Sequence, residues 1–227
     1  MTLAEASAQW LEAMARDDSV SQECAESRAL SLSMLVMYAG SELRLDEITP
    51  ARLRDFLARW VIENATRVSP PASACELIDS LAAFIEWAAC IGFTSASECL
   101  EVIAELRDRV PRAMLIGSRL SEHLSGGAFG FPEFLTSFEA GGHSRYDLDA
   151  PGESNCLEGY FRILRVEGKR VEAEELLTET RAWPILFPED VVALLEADYL
   201  INLELVQRED HWQVVACGFA YPPGTEV

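Results

Sequence analysis

The chain contains no apolar run approaching the roughly 20 residues that a bilayer span requires, and no basic flank precedes an apolar segment at its start. Membrane insertion and secretion are not expected of it. Lysine is nearly missing, since the 18 basic residues are arginines apart from Lys169. Histidine is scarce (His123, His143, His211), and the six cysteines (Cys24, Cys75, Cys90, Cys99, Cys156, Cys217) form no C-x-x-C pair. A zinc site has little to draw on, and no metal or other cofactor is expected. A chain of 227 residues can bury an ample core without disulfide staples, so reduced, mostly buried thiols and a cytoplasmic address are expected. No G-x-S-x-G elbow occurs, and no histidine is placed to activate a serine or cysteine, so no enzyme is expected.

Acid is abundant. The formal net charge is -20, and the excess is spread along the chain: 18 acids against 9 bases over residues 1 to 110, 5 against 3 over 111 to 150, and 15 against 6 over 151 to 227. Such a balance serves solubility and repels phosphate backbones. Neither half has the composition of a basic DNA-binding domain.

Helical periodicity fills the first half. Thr2 and Glu5 spell a capping box ahead of Leu3, Trp10, Leu11 and Met14. A second helix is expected from about Ser21 to Tyr38 with Ala25, Ala29, Leu32 and Val36 on its stripe, and Gly40 as terminator. Thr49 and Pro50 start a third, carrying Leu53, Phe56, Leu57, Trp60 and Val61. Ser69, Pro70 and Pro71 open a fourth, with Leu77, Leu81, Phe84, Ile85 and Ala88 inward and Gly92-Phe93 as its cap. A fifth runs from Ser95 to Val110, where Pro111 interrupts it, and a short sixth carries Met114, Leu115, Leu120 and Leu124.

From Ser125 the texture changes to Gly, Ser and Pro ("SGGAFGFPEF", "AGGHSRYDLDAPGES"), the mark of a linker or long loops. Beyond it the period becomes two. "GYFRILRVEGKRVEAEELL" reads as a hairpin turning at Glu167 to Lys169, with Tyr160, Arg162 and Leu164 alternating against Phe161, Ile163 and Arg165. A strand at Ala182 to Leu186, a short helix after Pro188, and a second hairpin turning at Glu209 and Asp210 complete the order. Three strands, a helix and two strands suit a small five-stranded barrel, of the oligonucleotide-binding type or the SH3-like type. The fold expectation is α + β in two domains: an all-α bundle over 1–124, a linker over 125–155, and a mostly antiparallel barrel over 156–227.

The helix order of residues 1 to about 110, the "LDEITPARLRDFLARW" entry into the third helix and the "LIDSLAAFIEWAACIGF" segment with Phe84, Trp87 and Gly92 resemble the core-binding domain of tyrosine recombinases, the phage-integrase family. The resemblance covers about half of the chain. It implies a SAM-like helical fold that forms one half of a clamp around DNA. The family's catalytic tyrosine, with its arginines, histidine and lysine, is absent, and "HSRY" (His143 to Tyr146) lacks the family's spacing. A clamp holds phosphate through basic side chains. Those available are Arg52, Arg54 and Arg59 on the third helix, and Arg107, Arg109, Arg112 and Arg119 around Pro111. Asp55, Glu105 and Asp108 are close enough in sequence to pair with them instead.

Three other groupings carry no site. Asp147, Asp149 and Glu153 lack the glycine and distal glutamate of a calcium loop. The run Glu172, Glu174, Glu175 reads as a solvated strand face. The aromatics Tyr160, Phe161, Trp183, Tyr199, Trp212, Phe219 and Tyr221 would stack bases only if exposed, and packing accounts for them better. The expectation is a non-catalytic binding or assembly protein with a protein partner. The alternative is a DNA-binding accessory factor that keeps the clamp role.

Overall fold

The structure is a computed structural model that describes residues 1–16, 20–65, 72–125 and 156–227. The Ser69 to Pro71 helix start, "HSRY", and Asp147, Asp149 and Glu153 lie outside the described residues. Packing divides the chain into two compact units, Met1–Pro111 and Arg112–Thr225.

The first unit is helical: α1 (Leu3–Ala15), α2 (Gln22–Ala39), α3 (Pro50–Asp55), α4 (Val61–Ala65), α5 (Ala72–Cys90) and α6 (Ala96–Leu106). The capping box of α1 is complete, with Thr2 Oγ1 accepting from the Glu5 amide at 3.2 Å and Glu5 Oε2 accepting from the Thr2 amide at 2.8 Å. At the end of α5, Gly92 takes a φ of +99°, and the amide of buried Phe93 donates back to the Ala88 carbonyl at 3.0 Å. That bond is part of a C-terminal cap of the kind expected of Gly92 and Phe93. The core gathers Leu3, Trp10, Leu35, Leu53, Phe56, Ile78, Phe84, Ile103 and Leu106, with Trp10 edge-on to Phe84 at 5.6 Å.

Two helices depart from expectation. The third is not continuous α: Phe56–Trp60 winds as a π-helix between α3 and α4, with the Val61 amide bonding to the Phe56 carbonyl. The wider turn stacks Trp60 on Phe56, at 5.5 Å and 25°, and Tyr38 packs on Phe56 at 5.2 Å. α2 buries Ser31, Leu32 and Leu35, while Ala25, Ala29 and Val36 are half-buried. Its inward stripe is therefore rotated from the one that its small residues suggest.

The next helix, α7 (Arg109–Leu124), begins before Pro111 instead of after it. Proline is tolerated in the first turn, where its missing amide has no intrahelical partner to lose, so the expected break becomes a start. The division between the units falls inside this helix.

The second unit holds β1 (Cys156–Glu167), β2 (Arg170–Glu175), β3 (Arg181–Leu186), a short helix α8 (Glu189–Val192), β4 (Leu200–Gln207) and β5 (Trp212–Tyr221). All pairings are antiparallel except β3 with β5, and the order β1-β2-β3-β5-β4 returns to β1 as a closed barrel. Phe161, Ile163, Val171, Ala173, Ala182, Ile185, Ile201, Leu203 and Leu205 are wholly buried. The α7 residues of this unit bury Ala113, Met114, Ile116 and Leu120. They also reach the β3–β4 connection by charge: Arg112 pairs with Glu196, and His123 Nε2 meets Asp190 Oδ1 at 2.8 Å.

All six cysteines are free thiols, but only Cys99 and Cys217 are buried, and Cys75, Cys90 and Cys156 are exposed. The expectation of mostly buried thiols is corrected on that point. Among the described residues no helix is long and apolar enough to cross a membrane.

Candidate functional site

Of the seven arginines nominated for phosphate, six are held by carboxylates. Arg54 grips both oxygens of Glu105, and Arg109 reaches the same carboxylate at 2.9 Å. Arg59 pairs with Asp55 at 2.7 Å, Arg107 with Asp79 at 2.7 Å, and Arg119 with Glu122 at 3.2 Å. Arg112 pairs with Glu196. Arg52 is exposed and makes no ion pair among the described residues, and neither does Asp108. The bond from Arg54 keeps the Glu105 carboxyl below its ordinary range, and the bond from Arg59 does the same for Asp55. Asp55 also accepts from the Tyr38 hydroxyl at 2.6 Å, and burial followed by that bond pushes Tyr38 up to about 12. A phosphate arriving here would have to displace carboxylates.

The barrel arranges its charges differently. On the outer face of β1, β2 and β3, register sets Arg162 opposite Glu174 and Glu174 opposite Arg181. The next row sets Arg165 opposite Glu172, and the guanidinium of Arg165 lies over the Trp183 ring of β3, 4.9 Å from its centroid. The third row is Glu167, Arg170 and Leu186. Arg165 bonds to Glu167 at 2.7 Å and Glu172 at 3.2 Å, and Arg181 bonds to Glu174 at 3.1 Å. Four arginines stand against three glutamates on this face, although the whole chain is strongly acidic. Trp183 and Leu186 are both exposed there, and Arg162 and Arg170 make no ion pair among the described residues.

This face was not legible from alternation, which assigned Arg162 and Arg165 to opposite sides. A bulge at Leu164 shifts the register between Ile163 and Arg165 and returns both arginines to the outside. A second shift lies opposite it on β2 and β3, between Val171 and Ala173.

The carboxylate run of β2 is only partly solvated. Glu175 is 3% exposed, and its carboxylate accepts from the amides of Leu177 at 3.1 Å and Thr178 at 2.6 Å and from the Thr178 hydroxyl at 2.7 Å. Burial alone would raise its pKa, but these donors together hold it below the ordinary value. The expectation of a solvated face fails here because the β2–β3 turn uses Glu175 as its internal brace. The brace leaves Leu177 pointing outward, 92% exposed. On β1 and β4, Glu158 faces Glu204 directly, and burial followed by that like charge raises Glu204. Among the described residues no group of three or more His, Cys, Asp or Glu is placed to hold a metal ion.

Comparison with family models, curated proteins and solved structures returns no match for this chain.

Proposed function

We propose that the chain is a non-catalytic binding or assembly protein in which a SAM-like helical module, similar to a recombinase core-binding domain, is joined to a small barrel. The strand order β1-β2-β3-β5-β4, with parallel β3 and β5 and a helix between β3 and β4, supports the oligonucleotide-binding type of barrel over the SH3-like type. The observation that carries the reading is the outer β1–β2–β3 face, where Arg165 stacks on Trp183 within a chequer of arginine and glutamate. Tryptophan and arginine are the residues most enriched where protein interfaces concentrate their energy. A face of interleaved sign favours a partner with its own alternating charges over a uniformly anionic polymer. The partner is thus a protein. Free thiols support a cytoplasmic address.

Two measurements test this. Tagged full chain is used to capture partners from its own cells. A specific partner should be lost with Arg165→Glu and Trp183→Ala and kept with Arg52→Glu. The full chain is also titrated against a labelled mixed-sequence DNA duplex by fluorescence anisotropy over a salt series, where no binding is expected even at low salt. The alternative, an accessory factor that keeps the clamp role, has in its favour Arg52, exposed and without an ion pair among the described residues. Tight duplex binding that weakens steeply with salt and falls with Arg52→Glu would establish it in place of the protein-partner reading.

A further inference from the structure

The sequence of α2 from Ala29 to Ala39 is apolar on two sides, and among the described residues only one of them is buried. Leu32 and Leu35 turn inward. On the far side Leu30 is 50% exposed and Met37 68%, with Met34 half-buried between them. At 3.6 residues per turn the three lie within an arc of about 60° and span about 10 Å of the helix axis. Single exposed apolar side chains are commonplace, but three aligned on one helix, two of them adaptable methionines, make a contact stripe.

The same arc continues toward the N-terminus through Glu26 and Glu23. Both are exposed and make no ion pair among the described residues, and Glu26 only accepts from Gln22 at 2.8 Å. No basic residue lies on the arc. The stripe is therefore apolar at one end and anionic at the other, and its complement is a surface with the same sequence of apolar and positive character. A second copy of α2 does not supply that, because it carries the same acids.

We propose that the α2 stripe of Leu30, Met34 and Met37, with Glu26 and Glu23 beyond it, docks an amphipathic helix of a partner protein whose apolar face ends in lysine or arginine. Such a helix would lay its apolar side chains along the methionines and its cations beside the two glutamates. This inference rests on the reading of the chain as a binding protein, but it does not involve the barrel face.

The test uses the full chain and two fluorescent synthetic peptides of about 20 residues, long enough to hold a helix. Both have one composition of Leu, Gln and Lys. In one the leucines share a face and the lysines cluster at one end; in the other the order is scrambled so that no apolar face forms. The first peptide should bind at least tenfold more tightly than the second. The double variant Leu30→Asp with Met37→Asp should weaken the first peptide at least tenfold, while Met37→Leu should keep it. Equal binding of the two peptides, binding of neither, or indifference to the double variant would overturn the proposal. The Trp183→Ala chain should bind the peptide normally; loss of binding there would assign the peptide to the barrel and also refute the α2 site. Because the substituted side chains are exposed, unchanged melting curves for all variants separate contact from folding.

Discussion

At residue 159 a side chain has nowhere to go. A Cβ built on Gly159 would lie 2.6 Å from Glu175 Oε1, and that carboxylate is pinned by Thr178 and Leu177. Gly159→Ala must therefore break the brace of the β2–β3 turn, and we expect a loss of about 1–3 kcal/mol, read from urea unfolding; an unchanged midpoint would show that the brace yields freely. Glu175 itself gives a pH signature. Its folded pKa is depressed, so its stabilising contribution is full above the ordinary carboxylate value and is lost as pH falls through the folded one. Glu175→Gln should be less stable than the parent at pH 7, and the gap should narrow below about pH 4.5. A constant gap would mean that the charge is irrelevant. Nothing in the sequence separated Glu175 from its neighbours Glu172 and Glu174, because its burial depends on which strand lies beside it.

Among elements, those with strong local chemistry were legible. The capping box, the Thr49-Pro50 start, the Gly92-Phe93 closure, both hairpin turns and the short helix after Pro188 all act within a few residues, and each stands where its signal placed it. What escaped depends on contacts distant in sequence. The π-turn at Phe56–Trp60 serves the stacking of aromatic rings against Tyr38, and the bulge at Leu164 serves barrel curvature, so neither leaves a periodic trace. The candidate site was lost with that bulge, while six of the seven arginines that the sequence did single out are held by acids, Arg52 being the exception. The pairing of β1 with β4 carries one visible conflict, Glu158 directly opposite Glu204. Relieving it with Glu158→Gln should raise stability at pH 7 by roughly 0.5 kcal/mol, toward the low side because Glu158 is exposed. Since the Glu204 carboxyl is raised in the fold, the gain should fade as pH drops and that carboxyl takes up its proton. A Glu158→Gln chain that is less stable at pH 7 would refute the conflict.

For the whole molecule, self-repulsion competes with local pairing. The net charge of -20 favours expansion, while the exposed ion pairs contribute little each and are screened by the same salt. We expect the long-range repulsion to win, so that the melting temperature rises between low and moderate NaCl; a fall would place more weight on the pairs. The barrel of the second unit has a mechanical consequence of its own. Every neighbouring pair of strands shares a ladder of four or more residue pairs except β3 and β5, which meet only at Ile185 with Trp212 and Leu186 with Gln213. A cylinder under load parts at its shortest seam. Rupture should begin there, unrolling the barrel into a flat sheet before any other ladder yields, and the amides of this seam should be the first of the barrel to exchange with solvent.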